Sequence, residues 1–194
     1  MLNVSPVQRK RSRFQLLAVA AVCLAPVIAS YWMFFAATPA RHTNYGELLE
    51  TRVLPPAELK LADGAPFSLS QLRGKWVLLM VDSGQCDEFC RTKLYNLRQL
   101  RLTQGKDMDR IERAWLLNDG AAPAPALAAE YAGTWFVRAA GSALLRELPA
   151  QTTPVDHVYL IDPLGNLVLR YPRDAEPRRI IKDLSRLLRV SRIG

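Results

Sequence analysis

A chain of 194 residues has room for one medium domain and a short appendage. Its formal charge of +8 is unevenly placed: Arg9, Lys10, Arg11, Arg13 and Arg41 precede every acid, and residues 42–194 keep only 21 basic against 18 acidic side chains. So small a surplus is not a nucleic-acid footprint, no nucleic-acid partner is expected, and the high isoelectric point reflects the N-terminal cluster and scattered arginines.

The first segment, residues 1–13, reads as a basic tail. Residues 14–37 carry no charge, and this stretch exceeds the roughly 20 apolar residues that a helix needs to cross a bilayer core. Pro26 is a break that membrane helices tolerate. Tyr31, Trp32, Phe34 and Phe35 lie where an interfacial aromatic belt belongs. Thr38-Pro39-Ala40 is a poor version of a signal-peptidase site, and the apolar run is longer than a signal peptide's, which favours an uncleaved anchor. The positive-inside rule then keeps the tail in the cytoplasm. The expectation is a single-pass inner-membrane protein with a periplasmic C-terminal domain. Cys23, inside the apolar run, reads as an inert thiol buried in lipid.

Residues 38–58, including His42 and Pro55-Pro56, read as a linker, and 59–190 as the exported domain. Leu59–Leu61 and Pro66–Leu69 flank an Asp63-Gly64 turn and predict a short hairpin. Trp76–Val81 is continuously apolar, as in a strand buried on both faces. A helix from about 88 to 104 stops at Gly105. A strand follows at 110–117, then a loop rich in alanine and proline, and a short helix at 126–132. A brief strand at Trp135–Val137 leads to Ser142 as the N-cap of a helix over 143–148. Strands His157–Ile161 and Leu167–Arg170 flank an Asp162-Pro163 turn. A last helix runs from Pro177 to Val190, with Ile180, Ile181, Leu184, Leu187 and Leu188 at core spacing. Tyr131, Trp135 and Phe136 read as core.

Cys86 and Cys90 stand where the strand 76–81 gives way to the helix. Residues i and i+4 of a helix lie about 5–6 Å apart, a separation that suits either a disulfide or a shared grip on one soft metal ion. Only these two cysteines lie in the exported domain, in an oxidising compartment. A bridge closing so short a loop adds little entropic stability, so the pair reads as chemical rather than architectural. Strand, helix, strand, helix, strand hairpin and closing helix describe an α/β sandwich. A dithiol at its first strand–helix junction is the thioredoxin arrangement, in which the helix N-terminus lowers a thiol pKa. Asp82, Asp87 and Glu88 crowd the pair. They read either as solvated loop acids or as charges that raise the thiol pKa and are relieved by a bound cation. Pro154 stands where thioredoxin-like oxidoreductases place a cis proline, which sequence alone does not assign.

Several of these segments together resemble the SCO/SenC family: Phe67–Leu79, the Cys-x3-Cys pair, Gly141-Ser142, Val155-Asp156-His157, and Tyr159–Gly165. The resemblance implies a membrane-anchored, thioredoxin-like factor that assists copper insertion into cytochrome c oxidase. It makes Cys86 and Cys90 thiolate ligands and His157 an imidazole ligand of one copper ion, with an oxidase subunit or another copper or thiol protein as client. This sequence departs from the family in having Arg91 where proline follows the second cysteine, and in a shorter interval after His157. In a strand each residue reverses face, so that interval bears on where His157 points. The alternative function is a thiol–disulfide oxidoreductase in which Cys86 attacks and Cys90 resolves. A third is a scaffold with a permanent disulfide. Copper delivery and exchange alike require two sulfurs held side by side and open to a partner.

Overall fold

The computed structural model describes residues 6–36, 44–191 and 193, without the side chains of 6–13 and 36. The chain divides into two compact units, Met1–Arg41 and His42–Gly194. The first is helix α1, Pro6–Ala36, with Pro26 inside it and the free thiol of Cys23 on its surface. Its stretch Phe14–Phe35 is long and apolar enough to cross a membrane. The Thr38-Pro39-Ala40 site and His42 lie outside the described residues.

In the second unit eight strands form one sheet: β1 (Glu47–Val53), β2 (Leu59–Leu61), β3 (Pro66–Phe67), β4 (Trp76–Asp82), β5 (Ile111–Leu117), β6 (Thr134–Arg138), β7 (Val158–Ile161) and β8 (Asn166–Tyr171). Their order across the sheet is β1-β8-β7-β4-β5-β6-β2-β3. β4, β5 and β6 are parallel, while β7 joins β4 antiparallel with Met80 opposite Val158. All seven residues of β4 are buried, as its unbroken apolar run requires of a central strand covered on both sides.

Alternation along β4 builds two cores. Trp76, Leu78 and Met80 face helices α2 (Glu88–Leu102) and α5 (Pro177–Val190), where they meet Leu94, Leu97, Leu100, Ile180, Leu184 and Leu188. Val77, Leu79 and Val81 face the other way, toward Leu144 of helix α4 (Ala143–Glu147), Leu72 and Tyr159. A short helix α3, Pro125–Glu130, adds Leu127 to the first core. The expected cap is present on α4, where Ser142 Oγ accepts from Leu145 N at 3.4 Å.

Three expectations need correction. The stretch read as linker contains β1, an edge strand paired with β8 and exposed at six of its seven positions, so it carries no alternation to read. Its approach is fixed from the far end of the chain: buried Asp183 of α5 accepts from Tyr45 N at 2.8 Å and from Gly46 N at 2.9 Å. Helix α2 ends at Leu102, and Gly105, at φ +57°, opens a 3-10 turn instead of capping α2. Trp135 and Phe136 are half-buried because β6 lies toward the short end of the sheet. The Thr153–Pro154 bond is trans, and Pro154 begins a 3-10 turn that ends at Asp156.

Candidate functional site

Helix α2 starts where it does because Asp87 caps it, Oδ1 accepting from Cys90 N at 2.9 Å. That cap puts Cys90 in the first helical turn and leaves Cys86 in the preceding loop. The two are joined as a disulfide with Cα atoms 5.1 Å apart. The sulfurs are thus side by side, as expected. They are not open: Cys86 is 3% and Cys90 0% exposed, both packed into the core beneath α2. The expectation of free access is overturned for this oxidised state, because the α2 face that carries Cys90 is its core face.

Cys86 has φ +47°, the left-handed region, and is the one described residue other than glycine to do so. Such a conformation costs about 1–3 kcal/mol and persists where its surroundings over-determine it. The surroundings are visible. Cys86 N donates to Ser83 O at 3.1 Å, and Gln85 N donates to Ser83 Oγ at 3.1 Å. Ser83 Oγ in turn donates to Asp119 Oδ2 at 2.5 Å, and Gly84 N to Asp119 Oδ1 at 3.1 Å. The Ser83 hydroxyl, and then the Gly84 amide, hold the Asp119 carboxyl below the usual carboxylate range. Gly84 lies so close to the next loop that an added Cβ would stand 2.2 Å from Ala121 O.

Asp82 is the second correction. It ends β4 on the α2 side, is buried, and pairs with buried Lys93, with Nζ 2.7 Å from Oδ2. It is no solvated loop acid. Lys93 also donates to Val81 O at 2.9 Å and Val155 O at 2.5 Å, which ties α2 to the turn before His157. Burial pushes the Lys93 ammonium pKa down against the pull of Asp82. Asp87 and Glu88 are exposed, as expected of loop acids. Neither the structural role of Lys93 nor that of Asp119 is among the expectations drawn from the sequence. The available signals were a lysine on the apolar face of α2, three residues after Cys90, and an acid two residues beyond the end of β5.

His157 lies at the same end of the sheet as the cysteine pair but serves the opposite face. Its backbone is extended, so it shares a side with Tyr159 of the second core, whereas Leu160 faces the cysteines. Its ring packs edge-on to Tyr159, with centroids 6.0 Å apart. Nδ1 lies 3.0 Å from Tyr171 O. A carbonyl only accepts, so Nδ1–H donates and the neutral ring keeps its lone pair on Nε2. The ring lines a cleft with Tyr45, Glu47 and Arg170. Among the described residues no three His, Cys, Asp or Glu side chains converge as a metal site. The donor set beneath α2 is therefore two sulfurs, which fit a soft monovalent cation, and His157 does not join them as it stands.

A mixed sheet with a disulfide-bonded cysteine pair at the junction of its central strand and following helix defines a thioredoxin-like domain, here preceded by an apolar helix. The family model described as "Transmembrane-like, thioredoxin-like, C-terminal domain" matches residues 76–191, and the one described as "Transmembrane-like, N-terminal domain" matches residues 6–36. The chain belongs to this transmembrane-like, thioredoxin-like family. No curated protein matches it.

Solved structures extend the likeness of fold to Sco proteins. Yeast Sco1 with copper bound matches with TM-score 0.61 and 17% identity, over 74% of this chain and 96% of that one. Apo Sco1 of Thermus thermophilus matches with TM-score 0.57 and 22% identity, over 76% and 99%. BsSco, a member of the Sco family of cytochrome c oxidase assembly proteins in which a disulfide switch has been identified, matches with TM-score 0.55 and 15% identity, over 75% and 98%.

Proposed function

We propose that this chain is a membrane-anchored, SCO/SenC-like assembly factor of cytochrome c oxidase whose working group is the Cys86–Cys90 pair. In this reading α1 spans the inner membrane once with its basic tail in the cytoplasm, and the domain works in the periplasm. One Cu(I) ion is its cargo, held by the two thiolates after reduction of the bridge and passed to a copper or thiol client by ligand exchange. The observation that carries the reading is the placement of two sulfurs close enough to bond at the first turn of α2. There the helix dipole favours thiolate over thiol. Likeness of fold to copper-bound yeast Sco1 supports the copper part. Burial of Cys86 means that the loop 83–87 opens before cargo or client reaches the sulfur.

The position of His157 favours a second reading, thiol–disulfide exchange. The reduced Cys86 thiolate attacks a client disulfide and releases one client thiolate. Cys90 then attacks Cys86 Sγ, releasing the second client thiolate and leaving the intramolecular bridge. Two electrons pass to the client, the client thiolates take up protons, and a periplasmic dithiol donor must re-reduce the pair.

One experiment separates the readings. The full chain in detergent, reduced and anaerobic, is titrated with Cu(I) against a competing chelator. One bound copper that is lost in Cys86→Ser and in Cys90→Ser is the outcome expected of a carrier. No binding, with a reversible midpoint near the roughly −270 mV of thioredoxin, establishes exchange. No binding together with a midpoint below about −300 mV, typical of inert structural bridges, overturns both.

A further inference from the structure

We propose that Asp119 is a positioning residue for the cysteine pair: its carboxylate latches the Ser83–Cys86 loop in the strained, closed conformation that forms the disulfide and buries Cys86. The inference rests on the dithiol reading above, but it concerns the bridge itself, with neither copper nor client involved.

Apart from Asp119, the loop has a side-chain hold at its strand end, where Ser83 N donates to Asp82 Oδ1 at 3.0 Å. Asp119 sits just beyond β5 and is not part of the sheet. It collects three hydrogen bonds: from Ser83 Oγ, from Gly84 N, and at 3.1 Å from Ala121 N, which fixes the orientation of the carboxylate itself. Through Ser83 Oγ the latch reaches Gln85 N, and through Ser83 O it reaches Cys86 N. Each residue from 83 to 86 is thus bonded to Asp119 or to a group that Asp119 holds. Gly84 lies so close to the 119–121 segment that any side chain there would collide with Ala121 O. A non-glycine residue at φ +47° is kept there by such bonds and by the bridge. When a dithiol supplies two electrons and two protons, the Sγ–Sγ bond breaks, each cysteine becomes a thiol, and the reductant becomes a disulfide. The bridge then no longer holds Cys86, and the latch resists relaxation of the loop together with the bond from Ser83 N to Asp82 Oδ1. Its strength therefore enters the redox equilibrium and the access of outside reagents to Cys86.

The test equilibrates the full chain in detergent with dithiothreitol buffers of defined ratio and counts free thiols. Asp119→Ala is expected to shift the equilibrium constant at least tenfold toward the dithiol, which is 29.6 mV more oxidising, and to speed alkylation of Cys86 in the reduced protein. Asp119→Asn keeps an acceptor for Gly84 and Ala121 but loses the Ser83 acceptor, and Ser83→Ala loses that bond together with the bond from Gln85 N while keeping the one from Gly84 N, so both should fall between Asp119→Ala and the native chain. Should Asp119→Ala misfold, these two variants carry the test. Midpoints and alkylation rates within twofold of the native chain in all variants that fold would overturn the proposal. Because no copper is present, failure here leaves the copper titration untouched. A normal latch with no copper binding would count against the carrier reading alone.

Discussion

Lys93 reaches from α2 to Asp82 at the end of β4, its Nζ 2.7 Å from Oδ2 in a setting where both side chains are more than nine-tenths buried. The same ammonium caps two backbone carbonyls, Val81 O and Val155 O. One charge thereby joins the central strand, the cysteine helix and the turn before β7. Removing it leaves a buried carboxylate without its partner, which costs about 3–5 kcal/mol. Lys93→Met should therefore unfold at markedly lower denaturant than the native chain, and adding Asp82→Asn should recover much of the loss. The pair also has a pH signature. Burial holds the folded Lys93 pKa below its usual 10.5, so the unfolded chain keeps this proton where the folded chain gives it up. Stability contributed through Lys93 thus rises as pH climbs toward 10.5, and Lys93→Met should lack that rise in denaturation midpoints against pH.

Tyr171 contributes with the opposite sign. Its hydroxyl is buried and, among the described residues, has no hydrogen-bond partner. Burial raises its pKa, with Asp183 adding to the effect, and burial raises that of Tyr159 as well. Both phenols stay protonated in the fold while the unfolded chain ionises at about 10, so stability is lost as pH rises beyond that value. Tyr171→Phe should be neutral or up to about 1 kcal/mol more stable at pH 7, with a shallower alkaline decline. Thermal melts from pH 8 to 11 check both.

Gly84→Ala tests the close approach to Ala121 O. Backbone cannot swing aside as a side chain does, so the methyl forces the loop outward. A loss of about 1–3 kcal/mol is expected from the overpacking, together with a larger fraction of free thiols at a fixed dithiothreitol ratio. Full oxidation and native stability in this variant would contradict the geometry.

His157→Ala separates ligand from scaffold. Because the ring serves the face away from the cysteines, Cu(I) affinity of the reduced chain should stay within twofold of native. Stability should fall by about 1–2 kcal/mol as Tyr171 O loses its donor. A large loss of copper affinity would mean that the 154–157 turn swings toward α2 when copper binds.

The central elements were legible because each signal is local. The apolar run of β4, the Ser142 cap, and the Ile180, Leu184 and Leu188 stripe need no partner to be recognised. What escaped depends on partners far along the chain. β1 is a strand because β8 offers it an edge, and Leu48 and Val53 point to solvent, so no period of two marks it. Asp82 looked like a loop acid because its counter-charge lies eleven residues on, folded back over it. The cysteine spacing fitted a bond or a shared metal ion equally, and the depth of the sulfurs follows from which side of α2 meets the sheet. For His157 the shortened interval before Tyr159 was the relevant signal, since the parity of an extended chain decides which face a ring serves.

The grip of Asp183 on the amides of Tyr45 and Gly46 spans 138 and 137 residues, and among the described residues β1 finds its only strand neighbour in β8. The first piece of the domain to be synthesised thus has to wait for the last. A chain stopped short of residue 183 would leave the approach to its opening strand without the carboxylate that fastens it. Completion of the domain is therefore gated by the emergence of its C-terminal helix, a long-range dependence of the kind that slows folding.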